Sequence, residues 1–240
     1  MPAKRLQHAF TLIELLAVLA VIALMLSVVL PALRQAKEAA RTVQCKTLMK
    51  NYALAFYSYF WQTNTLFPLS IQDWQNNIPM HPWHSLDEFR ALVDLEPTGP
   101  EYRIRRTGQL QEYKPAFPRR FICPSARYAL EHPEDGLYPM NRSFGLNAHV
   151  YYFKDYVRRR LESQSSRISC MADALDWWFS YWQCDIYLQT GEQWLGFDTY
   201  GSAAFRHRDK ANISYWDGHV EQMAAGELKE HLNQWRYYNP

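Results

Sequence analysis

A run of apolar residues from Ala9 to Leu33, broken by a single charge at Glu14, sets the first constraint on what this chain can fold into. More than about 18 apolar residues in succession form a helix long enough to cross a bilayer. A secretory signal peptide has a shorter apolar core followed by an Ala-x-Ala-like site, and this segment has neither. A carboxylate inside such a segment costs roughly a few kcal/mol unless something pairs with it, so Glu14 is the residue that points to function. Lys4 and Arg5 precede the run. The positive-inside tendency therefore puts the N-terminus in the cytoplasm and the bulk of the chain outside the inner membrane.

The helix is expected to continue past the membrane. Residues 34–62 contain no Gly or Pro and are rich in Ala, Leu, Lys, Arg and Gln, all good helix formers apart from the punctuating aromatics. Cys45, Leu48, Met49, Tyr52, Phe56, Tyr59 and Phe60 recur at helical spacing and line one face. Arg34, Lys37, Glu38, Arg41, Lys46 and Lys50 form a polar face. At 1.5 Å per residue the helix reaches on the order of 75 Å from Phe10. Pro31, which lacks an amide donor, is expected to kink or loosen it. Roughly 180 residues remain beyond the stem, enough for one core.

The stretch Ala9-Phe10-Thr11-Leu12-Ile13-Glu14-Leu15-Leu16 resembles the class III signal of type IV prepilins and type II secretion pseudopilins. The resemblance implies that prepilin peptidase cuts between Ala9 and Phe10 and methylates the new terminus. It also implies that Phe10, Glu14 and Pro31 serve assembly with copies of itself or other pilin-like subunits, in contact with inner-membrane lipids. One departure is Ala9, where the family nearly always carries Gly. The new amine at Phe10 would lie close to Glu14 of a neighbouring subunit, and two such charges in a low dielectric attract strongly enough to set the axial register of the helices.

The implied architecture is α+β and pilin-like: a leader over 1–9, a membrane and assembly helix over 10–33, a helical stem over 34–62, and a head over 63–240. In that head a small antiparallel β-sheet with extensive loops packs on the stem. Dense prolines between Pro68 and Pro139 argue for loops and short elements. Trp83–Asp94 reads as a short helix with Ser85 as N-cap and Glu88 completing a capping box. Arg103–Lys114 reads as an exposed loop, Arg119–Pro124 as a short strand, Ser143–Asn147 and Val150–Phe153 as strand or turn, and Arg167–Asp173 as a strand.

Near the C-terminus, His207 is followed by nine residues and then Asp217-Gly218. This resembles the H-x9-DG segment of a group of prepilin-like proteins, as do Cys123-Pro124-Ser125 and Phe144-Gly145-Leu146-Asn147. Asp217-Gly218, set between two β-type runs, reads as a hairpin with a type I′ turn. His207 would hydrogen-bond Asp217 or a nearby carbonyl and pin the loop. The alternative is a divalent-ion site built from His207, Asp209, Asp217 and His219, whose nitrogen and oxygen donors suit such an ion.

Four cysteines in an extracytoplasmic domain are disulfide candidates, Cys45 with Cys123 and Cys170 with Cys184, or else buried thiols. No local signature of a Cys-His catalytic pair is present, and no cofactor is implied. The 9 Trp, 16 Tyr and 12 Phe either fill the core of the head or form a stacking platform for sugars. The net charge of +2 vanishes once the leader carrying Lys4 and Arg5 is removed, which argues against nucleic acid as a partner. The expected role is a non-enzymatic filament subunit of a type II secretion pseudopilus or type IV pilus, touching secreted cargo or glycan through its head. The competing role is a membrane-anchored extracytoplasmic glycan-binding module.

Overall fold

The computed structural model describes residues 11–73, 78–96, 117–132, 140, 142–152, 154–180, 183–192 and 199–233. Ala9, Phe10, the Arg103–Lys114 loop, Trp182 and Trp194 lie outside the described residues. The chain divides into two compact units, Met1–Ala40 and Arg41–Pro240. Helix α1 (Leu12–Thr63) runs continuously through Pro31, so the stem extends as its composition predicts.

In the first unit the described residues are helical from Leu12 onward and their apolar side chains are exposed. This stretch is the one helix among the described residues long and apolar enough to cross a membrane. With no apolar stripe distinct from a polar one, it needs a surrounding apolar medium or neighbouring helices.

In the second unit α1 buries Cys45, Met49, Tyr52, Ala53, Phe56 and Phe60, the stripe read from helical spacing. These residues join a core with Phe67, Trp83, Phe89, Phe144 and Leu146. Phe56 meets the rings of Phe67, Trp83 and Phe89 at centroid distances of 5.1, 5.6 and 5.5 Å. Tyr52 meets Phe144 edge-on at 5.7 Å and donates its hydroxyl to the Phe121 carbonyl at 2.7 Å.

Strands β1 (Ser70–Asp73) and β2 (Ile78–Pro82) form a small antiparallel pair. The main sheet has five strands in the order β5-β3-β4-β6-β7, where β3 is Phe144–Asn147, β4 Ser169–Asp173, β5 Trp178–Phe179, β6 Ala211–Tyr215 and β7 Val220–Met223. It is mixed rather than purely antiparallel, because β5 pairs parallel to β3. Every residue of β3, β4 and β6 is buried. Ala211, Ile213 and Tyr215, alternate residues of β6, join Leu228 and Leu232 of α7 (Ala225–Asn233) in a second apolar cluster.

Several short elements depart from the sequence reading. Trp83–Ser85 forms a 3-10 turn and α2 (Asp87–Leu92) starts after Leu86 with no side-chain cap. Ser85 instead donates its hydroxyl to the Pro82 carbonyl. Arg119–Phe121 is a 3-10 turn, not a strand. Its amide bonds run three residues back, from Phe121 to Pro118 and from Ile122 to Arg119, while Tyr52 takes the Phe121 carbonyl. After α3 (Arg127–Glu131) and β3, residues 148–152 form a short helix, α4 (Ala148–Tyr152), where strand or turn was expected. Asn147 acts as its N-cap by accepting the His149 amide at 3.0 Å. Helix α5 (Lys154–Gln164) follows it, and α6 (Ile186–Thr190) lies between β5 and β6.

The hairpin joining β6 to β7 is where the Asp217-Gly218 pair predicts one, but its turn is of another type. Gly218 has φ +87° and no positive φ occurs at Asp217. The Gly218 amide bonds to the Tyr215 carbonyl, and the Tyr215 amide to the His219 carbonyl. That is the pattern of a three-residue loop ending in a left-handed bulge residue. Among the described residues the aromatic side chains serve mainly as core: Trp83, Trp177 and Trp216 are buried, Trp178 is half-buried, and Trp61 is exposed.

Candidate functional site

Two places concentrate chemistry. The first is the start of α1. Glu14 accepts both the Thr11 amide (2.9 Å) and the Thr11 hydroxyl (2.8 Å) through Oε2, while the Glu14 amide reaches back to Thr11 Oγ1 at 3.3 Å. This is a reciprocal capping box in which Thr11 precedes the helix and Glu14 holds the third helical position. The Thr-x-x-Glu spacing is visible in the sequence, so Thr11 is a residue that motif reading alone could have singled out. Glu14 and Pro31 both lie in the exposed apolar part of α1.

The second place is buried in the head. Cys45 from α1, Cys123 from the segment after the 119–121 turn, Asp173 at the end of β4 and His207 before β6 bring one sulfur, nitrogen or oxygen atom each to within 4.8 Å of one another. All four side chains are buried. Cys45 donates its thiol to Asp173 Oδ1 at 3.1 Å. Cys123 Sγ lies 3.4 Å from His207 Nε2, and that nitrogen is 3.5 Å from Asp173 Oδ2. The far side of the imidazole, Nδ1, meets the Thr42 hydroxyl at 3.1 Å. Asp173 Oδ2 also accepts the Asn212 amide at 2.7 Å.

The local backbone holds these groups. The His207 and Lys210 amides and carbonyls bond to each other reciprocally, and both Arg208 (φ +56°) and Asp209 (φ +61°) are left-handed. This is a type I′ turn, placed immediately after His207 rather than at Asp217-Gly218. Ser143 accepts the Cys123 amide at 2.6 Å. Arg206, itself buried, donates to the carbonyls of Arg142, Ser143 and Ala174 and pairs with Glu192 at 2.8 Å.

Burial opposes ionisation of the Cys45 and Cys123 thiols, yet the Cys123 thiol is held below its usual range by hydrogen bonds from Cys45 and His207 and by the Arg206 charge. Cys45 moves the opposite way, raised by burial, by its bond to Cys123 and by the charge of Asp173. Burial lowers the basicity of His207, but Cys123 and Asp173 outweigh it and raise the group overall.

The residues picked out from sequence are thus redistributed. His207 is paired with Asp173, Thr42 and Cys123, not with Asp217. Asp217 and His219 bond to each other at 2.6 Å, partly exposed at the hairpin tip, and His219 also faces Glu221. Asp209 sits in the exposed turn. The set His207, Asp209, Asp217 and His219 is therefore not one donor cluster. All four cysteines are buried free thiols. Cys45 and Cys123 meet in one cluster but as free thiols rather than the expected disulfide, whereas Cys170 and Cys184 lie in different apolar clusters. Asp173, which the sequence set near the aromatic-rich stretch beside Asp176 and Asp185, had no signal linking it to His207 or the cysteines.

The family model for the prokaryotic N-terminal methylation motif matches residues 4–30. No curated protein and no solved structure gives a significant match to the chain. The motif and the apolar helix fit a single-pass protein anchored in the inner membrane. With that motif near its N-terminus, a 52-residue helix led by exposed apolar residues and an α+β head, the chain is similar to type IV prepilins.

Proposed function

We infer that this chain is a structural filament subunit: inserted with its N-terminus in the cytoplasm, cut before Phe10 by prepilin peptidase, N-methylated, and assembled through its apolar helices into a type II secretion pseudopilus or type IV pilus-like filament. The observation that carries this reading is the methylation motif over 4–30 on a helix segment whose apolar side chains face outward all round. Such a segment is stable in lipid or among copies of itself, where van der Waals packing replaces the missing hydrophobic drive. Glu14 would then neutralise the new amine of an adjacent subunit, with Thr11 orienting the carboxylate. The role needs no bond-making chemistry from the head.

Intact mass and N-terminal peptide analysis of the protein from its native membrane tests the route, with a peptidase-deficient strain as control. An N-methylated Phe10 that depends on the peptidase is the expected result. A retained Met1 or uncut leader despite active peptidase would overturn it. Glu14→Ala is expected to abolish incorporation into filaments while leaving membrane insertion intact, as read by shearing and immunoblotting.

A further inference from the structure

We propose that Cys45, Cys123, Asp173 and His207 form a structural zinc site inside the head. Two thiols, an imidazole and a carboxylate make a mixed soft and borderline donor set that suits Zn²⁺ and is ill-suited to Ca²⁺ or Mg²⁺, which take oxygen ligands. Zn–S bonds of about 2.3 Å and Zn–N or Zn–O bonds of about 2.0–2.1 Å place tetrahedral ligand atoms about 3.3–3.8 Å apart. Cys123 Sγ to His207 Nε2 (3.4 Å) and His207 Nε2 to Asp173 Oδ2 (3.5 Å) fall in that range, Cys45 Sγ to Asp173 Oδ1 (3.1 Å) lies just under it, and one donor atom from each of the four residues lies within 4.8 Å of the others. Four protein ligands, each at most 1 % exposed, leave no open coordination position, which is the form of a structural rather than a catalytic site.

The surrounding contacts complete the design. With Nε2 on the metal, His207 carries its proton on Nδ1 and donates it to Thr42, 3.1 Å away, which fixes tautomer and ring orientation. The Asn212 amide steadies the carboxylate. Zn²⁺ with two thiolates and a carboxylate retains one negative charge, and the buried Arg206 guanidinium, which interacts with both Cys123 and Asp173, offsets it. The left-handed turn at Arg208-Asp209 is strained for residues with side chains, and anchoring His207 gives that strain a purpose. The ligands come from α1, the 122–126 segment, β4 and the turn before β6, so one ion ties four parts of the head together. Ligation would also keep the thiols from pairing in an oxidising compartment. The site lies wholly within residues 41–240 and is independent of whether the leader is cut.

The test is metal analysis of the full-length chain, extracted in detergent without chelator and purified without a metal-affinity tag. Roughly one zinc per chain is expected. Cys45→Ser and His207→Gln are expected to lower zinc content about ten-fold or more, while Cys170→Ser and Cys184→Ser retain it. Should the ligand variants fail to fold, cobalt exchanged into the wild-type chain decides the matter: thiolate-to-cobalt charge transfer with the strong visible bands of tetrahedral Co²⁺ supports the site. Trace zinc together with a Cys45–Cys123 disulfide in non-reducing peptide mapping would overturn it. So would zinc content unchanged by Cys45→Ser, or octahedral cobalt spectra.

Discussion

The two parts of α1 make opposite use of similar apolar residues. Between Leu12 and Leu33, leucines, isoleucines and valines are mostly about half or more exposed. From Cys45 to Phe60, one stripe of the same helix is buried among Phe67, Trp83, Phe89 and Phe144 while Lys50 and Leu54 stay outside. The first part has no core of its own and needs lipid or other apolar helices around it; the second is a wall of the head. One continuous helix therefore serves two solvents, and the sequence changes at the boundary from apolar all round to amphipathic. Damage to the first part should appear in assembly, and damage to the second in folding.

The sharpest break of that contrast is Phe56→Ala. Phe56 is fully buried and touches three aromatic rings, so its loss should lower head stability by about 3–5 kcal/mol. Denaturant unfolding of the full chain in detergent, followed by tryptophan fluorescence, measures it; a cost below about 1 kcal/mol would mean that this half of the helix is not core.

Next comes Gly145→Ala in β3. A Cβ there would lie 2.6 Å from the Asp176 carbonyl oxygen, 2.8 Å from the Trp178 carbonyl carbon and 2.9 Å from Ala174 Cβ. Two of those atoms are backbone and cannot swing away, so a loss of roughly 1–3 kcal/mol is expected in the same assay.

Asp176 adds a pH signature to the head alone. Burial raises its carboxyl to about 7, against the pull of the Gly201 and Trp177 amides and the Arg142 charge. Between about pH 4 and 7 the folded chain holds a proton that the unfolded chain releases, so this group makes stability fall as pH rises through that window. Asp176→Asn should flatten the fall, at a cost of about 1–3 kcal/mol at pH 5 because one of the two accepted amides loses its partner. Thermal unfolding of both chains across pH 4–8 reads the difference; parallel curves would refute it.

The smallest effect on folding belongs to Leu24→Ala. Leu24 is exposed, and head stability should change by no more than about 0.5 kcal/mol. Filament yield, measured on the same variant by shearing, should fall. The pair Leu24→Ala and Phe56→Ala thus separates the two parts of one helix by two assays.

Much of this division was legible beforehand. The apolar run, Glu14 and the Cys45–Phe60 stripe are periodic or contiguous, and patterns of that kind depend only on local geometry. Arg167–Asp173 also read as a strand and Ser143–Asn147 as strand or turn, and β4 and β3 fall within those stretches. The 119–121 turn and α4 were not legible, because each is shorter than the window over which propensity accumulates. Their conformations follow from single contacts, Tyr52 on the Phe121 carbonyl and Asn147 on the His149 amide.

The candidate site divides in the same way. Sequence alone determined that the N-terminal segment must find an apolar surrounding and that Glu14 is its one charge, and it singled out His207, Asp217 and the four cysteines without saying which would meet. Only the tertiary structure decided which of them meet. Cys45 and Cys123 came together, Cys170 and Cys184 did not, and His207 left Asp217 for Asp173. Asp173 owes its place to sheet register: β4 lies between β3 and β6 with Phe144 opposite Asp173, and the Asn212 amide of β6 holds its carboxylate. Residues 34 to 162 positions apart leave no periodic trace of meeting in one buried cluster, because long-range packing, not local propensity, sets that distance.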